Sequence, residues 1–214
     1  MGTWLNKPVL LTGATGFVGR HLYPRLIEED LEVVCASREP GRAAEEHPDR
    51  TWVELDVERP ETLRQAVEGC GSAFYLIHQM LGGGEYESRE RQAARAFREV
   101  CDEAGLERII YLGGVAPRGR PSPHLRSRLE TGRVLRGGPI SAIELRASMI
   151  IGRGSASWQI VRDLAARLPA MILPSWTRTR TQPIWIGDVI EALVGALGLP
   201  DQSSRWYDIP GPET

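Results

Sequence analysis

The segment Thr12-Gly13-Ala14-Thr15-Gly16-Phe17-Val18-Gly19 constrains the fold of this chain more than any other feature. It joins a short apolar run to an amphipathic stretch, the context of a turn between a strand and a helix. Gly13 allows a sharp turn, Gly16 lets the backbone approach a ligand without an intervening Cβ, and Gly19 permits close packing of the helix. Free N–H groups at a helix N-terminus attract phosphate. The segment therefore predicts a pyrophosphate-binding turn, with an ordinary tight turn as the alternative.

Short apolar runs alternate with amphipathic stretches along most of the chain, which is typical of βαβ units and a parallel sheet. The predicted strands are Pro8–Leu11, Glu32–Ala36, Thr51–Leu55, Ala73–Ile77, Arg108–Leu112, Ile140–Leu145 and Trp206–Ile209. The predicted helices are Phe17–Glu29, Arg59–Glu68, Glu85–Ala104, His124–Leu135, Trp158–Leu168 and Asp188–Leu197, and the predicted loops are Pro40–Pro48 and Gly113–Pro123. These elements predict an α/β fold, a Rossmann-type doubly wound parallel sheet with a small C-terminal segment. We expect residues 1–150 to form the nucleotide-binding core, and residues 151–214 to contribute a substrate pocket packed on the same domain.

Composition excludes several classes of partner. The net charge of −2 gives no basic field for nucleic acid, and no apolar stretch reaches the ~20 residues that span a bilayer. Cys35, Cys70 and Cys101 match neither a metal-binding nor a disulfide pattern, so we expect free thiols, with Cys35 in the core. We therefore expect a cytoplasmic protein without metal, nucleic-acid or membrane partners. An additional C-terminal domain or a homo-oligomer is compatible with the sequence.

The end of the second predicted strand bears on the choice between NAD and NADP. An NAD site usually places an acid there for the ribose hydroxyls, whereas an NADP site places a cation there for the 2′-phosphate. Ser37 and Arg38 occupy these positions and Arg42 lies nearby, which favours NADP. Glu39 keeps NAD possible, and Arg38 could instead be a solvated loop residue.

Several further motifs follow in a characteristic order. They are LDV at Leu55–Val57, YLIH at Tyr75–His78, YLGG at Tyr111–Gly114, ELRASMIIG at Glu144–Gly152 and QPIWIGDV at Gln182–Val189. With the glycine-rich turn, they resemble the short-chain dehydrogenase/reductase superfamily, specifically its extended and atypical branch. That branch includes NAD-dependent epimerase/dehydratase and NmrA-like NAD(P)-binding proteins.

The resemblance implies a dinucleotide lying across the carboxyl ends of the strands. Pyrophosphate contacts would come from the turn and the start of its helix, and adenosine ribose contacts from the end of the second strand. Asp56 and Val57 would flank adenine, although Asp56 could equally cap the following turn. The implied cofactor-binding set is Gly13, Thr15, Gly16, Phe17, Val18, Gly19, Ser37, Arg38, Asp56, Val57, Leu76, Ile77 and Gly113.

The catalytic residues usual in this superfamily are replaced. Members commonly carry Tyr-x-x-x-Lys on a helix and a Ser after the fifth strand; the four-residue spacing places Tyr and Lys on one helix face. Here His124 stands in the Tyr position, Arg128 stands in the Lys position, and the fifth strand ends in Gly113-Gly114. Either His124 is a substitute acid/base with Arg128 in the ribose-binding role, or the site binds cofactor without hydride transfer. A third alternative is that His124 only caps its helix.

The remaining candidates concern a substrate pocket. His78 would face the nicotinamide end of the cofactor, as a catalyst or as a hydrogen-bonded pocket residue, and Arg146 could reach the same side. Trp158 and Trp176 belong to a C-terminal part rich in Arg and Trp, a mixture suited to a planar or anionic ligand. The alternative is a solvated basic loop with the Trp side chains in the core.

Two functions follow from this sequence. The first is an NADP-dependent oxidoreductase that acts on a small molecule through a non-standard active site. The second is a non-catalytic NAD(P)-binding module with a redox-sensing role, as in NmrA-like proteins. The missing Ser, Tyr and Lys favour the second function, and the C-terminal pocket segment favours the first.

Overall fold

The computed structural model describes residues 7–77, 86–117, 119–167, 182–200 and 203–212. The strands are β1 Val9–Leu11, β2 Val33–Ser37, β3 Thr51–Glu54, β4 Ser72–Tyr75, β5 Arg108–Gly114, β6 Ser141–Ala147, β7 Ile150–Ile151, β8 Ile184–Trp185 and β9 Arg205–Ile209. The helices are α1 Phe17–Glu28, α2 Pro40–Glu46, α3 Pro60–Val67, α4 Tyr86–Ala104, α5 Pro123–Arg136, α6 Ala156–Arg167 and α7 Ile186–Leu197.

A parallel sheet of seven strands forms the centre of the fold, in the order β3-β2-β1-β4-β5-β6-β9. The direction of strand addition reverses between β1 and β4. In open α/β sheets, ligands bind at such a switch point, outside the carboxyl ends of the strands. The predicted Rossmann-type α/β fold is confirmed, and its glycine-rich turn lies at the switch point.

The sheet carries an apolar core on each face, as a parallel sheet covered on both sides requires. In β1, Val9 and Leu11 belong to the core that includes residues of α1 and α7. Leu10 belongs to the opposite core, which includes residues of α3, α4 and α5. All three side chains are fully buried, so the uninterrupted apolar run of β1 follows from burial on two faces.

Two predicted loops are wrong in part. Pro40–Pro48 was expected to be a loop, but α2 occupies Pro40–Glu46. A proline at the first helical position costs nothing, because its missing N–H would be unpaired there, and the following Ala and Glu residues favour a helix. The predicted loop Gly113–Pro123 also begins too early, since β5 continues through Gly114 and pairs there with Ala147 of β6.

The segment after residue 150 contributes to the same layers as the first part of the chain. It supplies β9 to the edge of the main sheet and α7 to one core. Arg108, at the start of β5, is 1% exposed and donates hydrogen bonds to the carbonyl oxygens of Ala196 (3.1 Å) and Leu197 (2.7 Å) at the end of α7. The short parallel pair β7–β8, which the sequence pattern did not predict, lies outside the main sheet.

Two further expectations concern the thiols and the membrane. The three cysteines are free and Cys35 is buried, as predicted; Cys70 and Cys101 are buried as well, and burial raises the pKa of Cys35 to about 11. Among the described helices, none combines the length and the apolar character needed to cross a membrane.

Candidate functional site

The turn after β1 is held against β4 by Thr12. The buried Thr12 hydroxyl donates to the carbonyl oxygen of Phe74 at 2.8 Å and accepts from the Leu76 N–H at 2.9 Å. Gly13 follows with φ of +65°, and a Cβ there would lie 2.8 Å from the carbonyl oxygen of Leu76. Only glycine fits both the left-handed conformation and this close approach. The backbone beside the carboxyl ends of β1 and β4 is therefore fixed.

The first turn of α1 is open toward this edge of the sheet. Gly16 is the N-cap residue, and no side-chain capping hydrogen bond is made at this helix N-terminus. A Cβ on Gly19 would overlap the Gly13 carbonyl oxygen and the Ala14 Cα. Gly19 thus lets the helix lie against the turn itself. Together these features form a cradle for an anion at a helix N-terminus.

A cleft of about 860 Å³ lies over this cradle and across the carboxyl ends of the central strands. Of the predicted cofactor-binding residues, it is lined by Gly13, Thr15, Gly16, Ser37, Arg38, Asp56, Val57, Leu76 and Ile77. The others, Phe17, Val18, Gly19 and Gly113, do not line it. The cleft is within the size range of small-molecule and cofactor sites.

Both arginine and carboxylate side chains line the part of the cleft that the sequence predicts for adenosine. Sequence reasoning missed Arg20 of α1 and Arg89 of α4, which line the cleft together with Arg38. Arg20 follows Gly16 by four residues, which places both on the same face of α1. This spacing could have indicated from the sequence that Arg20 lies near the turn. Neither Arg20 nor Arg38 makes an ion pair with a residue that the structure describes.

Arg42 differs from these two arginines because it is paired within α2. Its guanidinium lies 3.7 Å from the Glu39 carboxylate and 3.3 Å from the Glu46 carboxylate. Ser37 also belongs to this turn, since its hydroxyl accepts a hydrogen bond from the Glu39 N–H at 3.1 Å. Glu39, the acid that kept an NAD site possible, also lines the cleft, and its exposed carboxylate lies beside the exposed guanidinium of Arg42.

Asp56 combines the two roles that the sequence left open. It lines the cleft, and its carboxylate also accepts a hydrogen bond from the Glu58 N–H at 3.0 Å. The Arg59 guanidinium lies 3.6 Å from the same carboxylate. Asp56 thus shapes the turn after β3 while it faces the region predicted for adenine.

At the carboxyl end of β5, a serine side chain would require neighbouring side chains to move. A Cβ on Gly113 would lie 2.9 Å from Oε1 of Glu144, and a Cβ on Gly114 would lie 2.7 Å from Cδ1 of Leu125. Both distances are shorter than ordinary van der Waals contact. The absence of the usual Ser is thus accompanied by neighbouring side chains that fill its space.

The two candidate catalytic residues lie in the first turns of α5. His124 is exposed near the start of the helix. The Arg128 guanidinium reaches the end of β5 and donates to the carbonyl oxygens of Leu112 (3.0 Å) and Gly113 (3.4 Å). Tyr111 is buried within β5, and its phenol donates to the Arg128 carbonyl oxygen at 3.0 Å. Arg128 is thus anchored at the strand end, whereas His124 faces solvent.

The candidate substrate residues are dispersed. Arg146 is 9% exposed; its Nε lies 2.9 Å from the Glu144 carboxylate and its guanidinium stacks on Trp206. Trp158 is exposed on α6, and neither it nor Arg146 lines the cleft. His78 and Trp176 lie outside the described residues. A substrate role for these four residues stays a prediction.

Sequence comparison gives the decisive observation. A family model described as NAD(P)H-binding matches residues 13–164, which include the turn, the cleft and α5. The chain belongs to the NAD(P)H-binding family. The matched residues include the glycines of the turn and most of the residues that line the cleft.

Relatives that are similar in sequence differ in what their names say they do. NADH dehydrogenase (ubiquinone) 1 alpha subcomplex subunit 9, a mitochondrial protein of Mus musculus, is 26% identical over 94% of this chain and 55% of its own length. A ceramide reductase of Caulobacter vibrioides is 28% identical over 94% of this chain and 64% of its own length. The chain therefore spans less than two thirds of these relatives.

Solved structures agree on the architecture. The structure of MoeE5 with UDP-glucose and NAD superimposes with a TM-score of 0.76 and 23% identity, covering 95% of this chain and 76% of that one. This likeness confirms the Rossmann-type fold.

The residues present fit such a cofactor. The cradle has no room for a Cβ at Gly13 or Gly19, and the helix N-terminus at Gly16 is free of a side-chain cap. The turn and the helix start would hold the pyrophosphate, and the ends of β2 and β3 would hold the adenosine.

Proposed function

We propose that the chain is an NADP-dependent oxidoreductase that acts on a small, carbonyl-bearing molecule. The observation that carries the NADP preference is the charge arrangement at the end of β2. Arg38 lines the cleft without an ion-pair partner among the described residues, while the Glu39 carboxylate lies 3.7 Å from the Arg42 guanidinium, which offsets part of its charge. A carboxylate at this place would repel a 2′-phosphate, and a free guanidinium would attract it.

Arg20 supports the same preference from the other side of the turn. It projects from α1 into the cleft that Arg38 also lines, and it too makes no ion pair with a described residue. Guanidinium groups present several N–H donors in a plane that suits phosphate oxygens. Two such groups at one end of the cleft favour a cofactor with an additional phosphate.

The chemistry that the cofactor supplies when bound is hydride transfer to or from its nicotinamide ring. In this proposal Arg128, held at the end of β5, contributes positive charge at the nicotinamide half, and His124 exchanges a proton with the substrate oxygen. The three free thiols are consistent with a reducing, cytoplasmic setting.

The test of cofactor choice is a titration of the purified protein with NADPH and NADH, followed by tryptophan quenching. We expect NADPH to bind more tightly than NADH, and 2′,5′-ADP to displace NADPH better than 5′-AMP does. Equal binding of the two cofactors would exclude the role of Arg38 and leave the NAD(P)-binding fold intact. No binding of either would exclude the proposed function.

A second function is favoured by the crowding at the end of β5. Because Glu144 and Leu125 fill the space that a Ser side chain would need, the site could bind cofactor without transferring hydride, as a redox-sensing module. Turnover separates the two functions. A screen of carbonyl compounds with NADPH should reveal an activity that His124→Ala or Arg128→Ala abolishes. Cofactor oxidation that survives both substitutions would contradict the catalytic assignment.

A further inference from the structure

A buried carboxylate between α4 and α5 has no role in the cofactor contacts described above. Glu90 is 5% exposed, although Arg89 and Arg91 on either side of it are exposed. Its carboxylate accepts a hydrogen bond from the hydroxyl of Ser127, which is 3% exposed. Removing a carboxylate from water is unfavourable unless hydrogen bonds compensate for it. A buried carboxylate that joins two helices is therefore a candidate for a positioning role.

The contacts of Ser127 connect Glu90 to the end of β5. Ser127 directly precedes Arg128, whose carbonyl oxygen accepts a hydrogen bond from the Tyr111 phenol at 3.0 Å. The Arg128 guanidinium donates to the carbonyl oxygens of Leu112 and Gly113. One turn of α5 is thus fixed on three sides: by α4, by a β5 side chain and by the β5 backbone.

Arg128 has charge and hydrogen-bonding capacity that these contacts do not use. Its Nε is buried without a hydrogen-bond partner, and it makes no ion pair with a carboxylate that the structure describes. Burial raises the pKa of the Tyr111 phenol. Nearby charges also act on this pKa: Arg128 lowers it, and Glu144 and Glu90 raise it. Glu90 therefore lies within electrostatic reach of the phenol that contacts Arg128.

We propose that Glu90 is a positioning residue that, through Ser127, keeps the guanidinium of Arg128 at the carboxyl end of β5 for the nicotinamide half of the cofactor. The proposal rests on the proposed function, because it requires NADPH as the ligand of Arg128. Glu90 itself touches neither cofactor nor substrate in this role. Its effect should consequently be confined to the nicotinamide half and should disappear when Arg128 is absent.

The first experiment is a double-mutant cycle read from the fluorescence of bound NADPH. We expect Glu90→Gln to leave the Kd for NADPH within about twofold of wild type, because the adenosine contacts remain. The emission of the bound nicotinamide should change as it does in Arg128→Ala, and the double variant should show no further change. Glu87→Gln is the matched control, since Glu87 pairs with Arg126 on the exposed side of the same two helices.

The second experiment needs no cofactor. Glu90→Gln should increase amide hydrogen exchange in residues 124–129, and Ser127→Ala, which keeps the carboxylate, should reproduce this increase and the emission change. Unchanged exchange, or additive effects of Glu90→Gln and Arg128→Ala on emission, would overturn the proposal. Failure of the wild type to bind NADPH would instead overturn the proposed function, and exchange would still decide whether Glu90 holds α5.

Discussion

Replacing Arg38 by alanine should remove most of the preference for NADPH over NADH. A charge-assisted hydrogen bond contributes about 1.5–3 kcal/mol, and Arg38 is exposed, so we take about 2 kcal/mol, near the lower end of that range. This corresponds to a Kd for NADPH about 30-fold weaker. NADH has no 2′-phosphate, so its Kd should change by about twofold or less.

Parallel titrations of wild type and Arg38→Ala with both cofactors measure this difference directly. Arg64→Ala is the matched control, because Arg64 is an exposed arginine paired with Glu103 and lies outside the cleft. The effect of Arg38→Ala should shrink as salt is raised, since the Debye length falls from about 10 Å at 0.1 M to about 3 Å at 1 M. Equal weakening of NADPH and NADH, or no weakening of NADPH, would refute the assignment of Arg38 to the 2′-phosphate.

Three other predictions test the scaffold. Gly19→Ala should lower both the Tm and the affinity for NADPH, because its Cβ would overlap the Gly13 carbonyl oxygen; thermal melting with and without NADPH measures both. Arg108→Met should destabilise the fold by about 2–4 kcal/mol in urea titration, since it leaves the carbonyl oxygens at the end of α7 without their buried donor. Thiol reagents should modify native Cys35 far more slowly than the urea-unfolded chain. Because its pKa is raised from 9.0 to about 11, its contribution to stability should be complete below pH 9 and lost as the pH rises to about 11.

The residues that line the cleft at the turn and after β2 and β3 could be predicted from the sequence because their determinants are local. Gly13, Gly16 and Gly19 are constrained by the turn that contains them, and Arg38 follows directly from the end of β2. Parallel strands place their carboxyl ends at one edge of the sheet, so residues just after them, such as Asp56, converge without detailed knowledge of packing. The cleft contains these predicted residues for that reason.

Other parts of the site and of the fold depend on packing between distant segments, and the sequence pattern gives little indication of them. Arg89 reaches the cleft only because α4 starts beside the ends of β3 and β4, and Glu90 is buried only because α5 packs on its face of α4. In the sequence both residues belong to a run of charged side chains typical of a solvated helix. Helix α2 was missed for a different reason, since Pro40 and Gly41 resemble a loop although proline is favourable at the first helical position.

The replacement of the usual active-site serine is best understood as a change in packing at several positions. Gly113 and Gly132 both leave room for the fully buried carboxylate of Glu144, and Gly114 leaves room for Leu125. A serine introduced at either β5 glycine would approach the end of a side chain from another strand or helix, so Glu144 or Leu125 would have to move to accommodate it. The arrangement at the end of β5 is therefore internally consistent without serine. Because Gly113 and Gly114 supply no hydroxyl at the end of β5, the proposed catalysis depends on the side chains of α5.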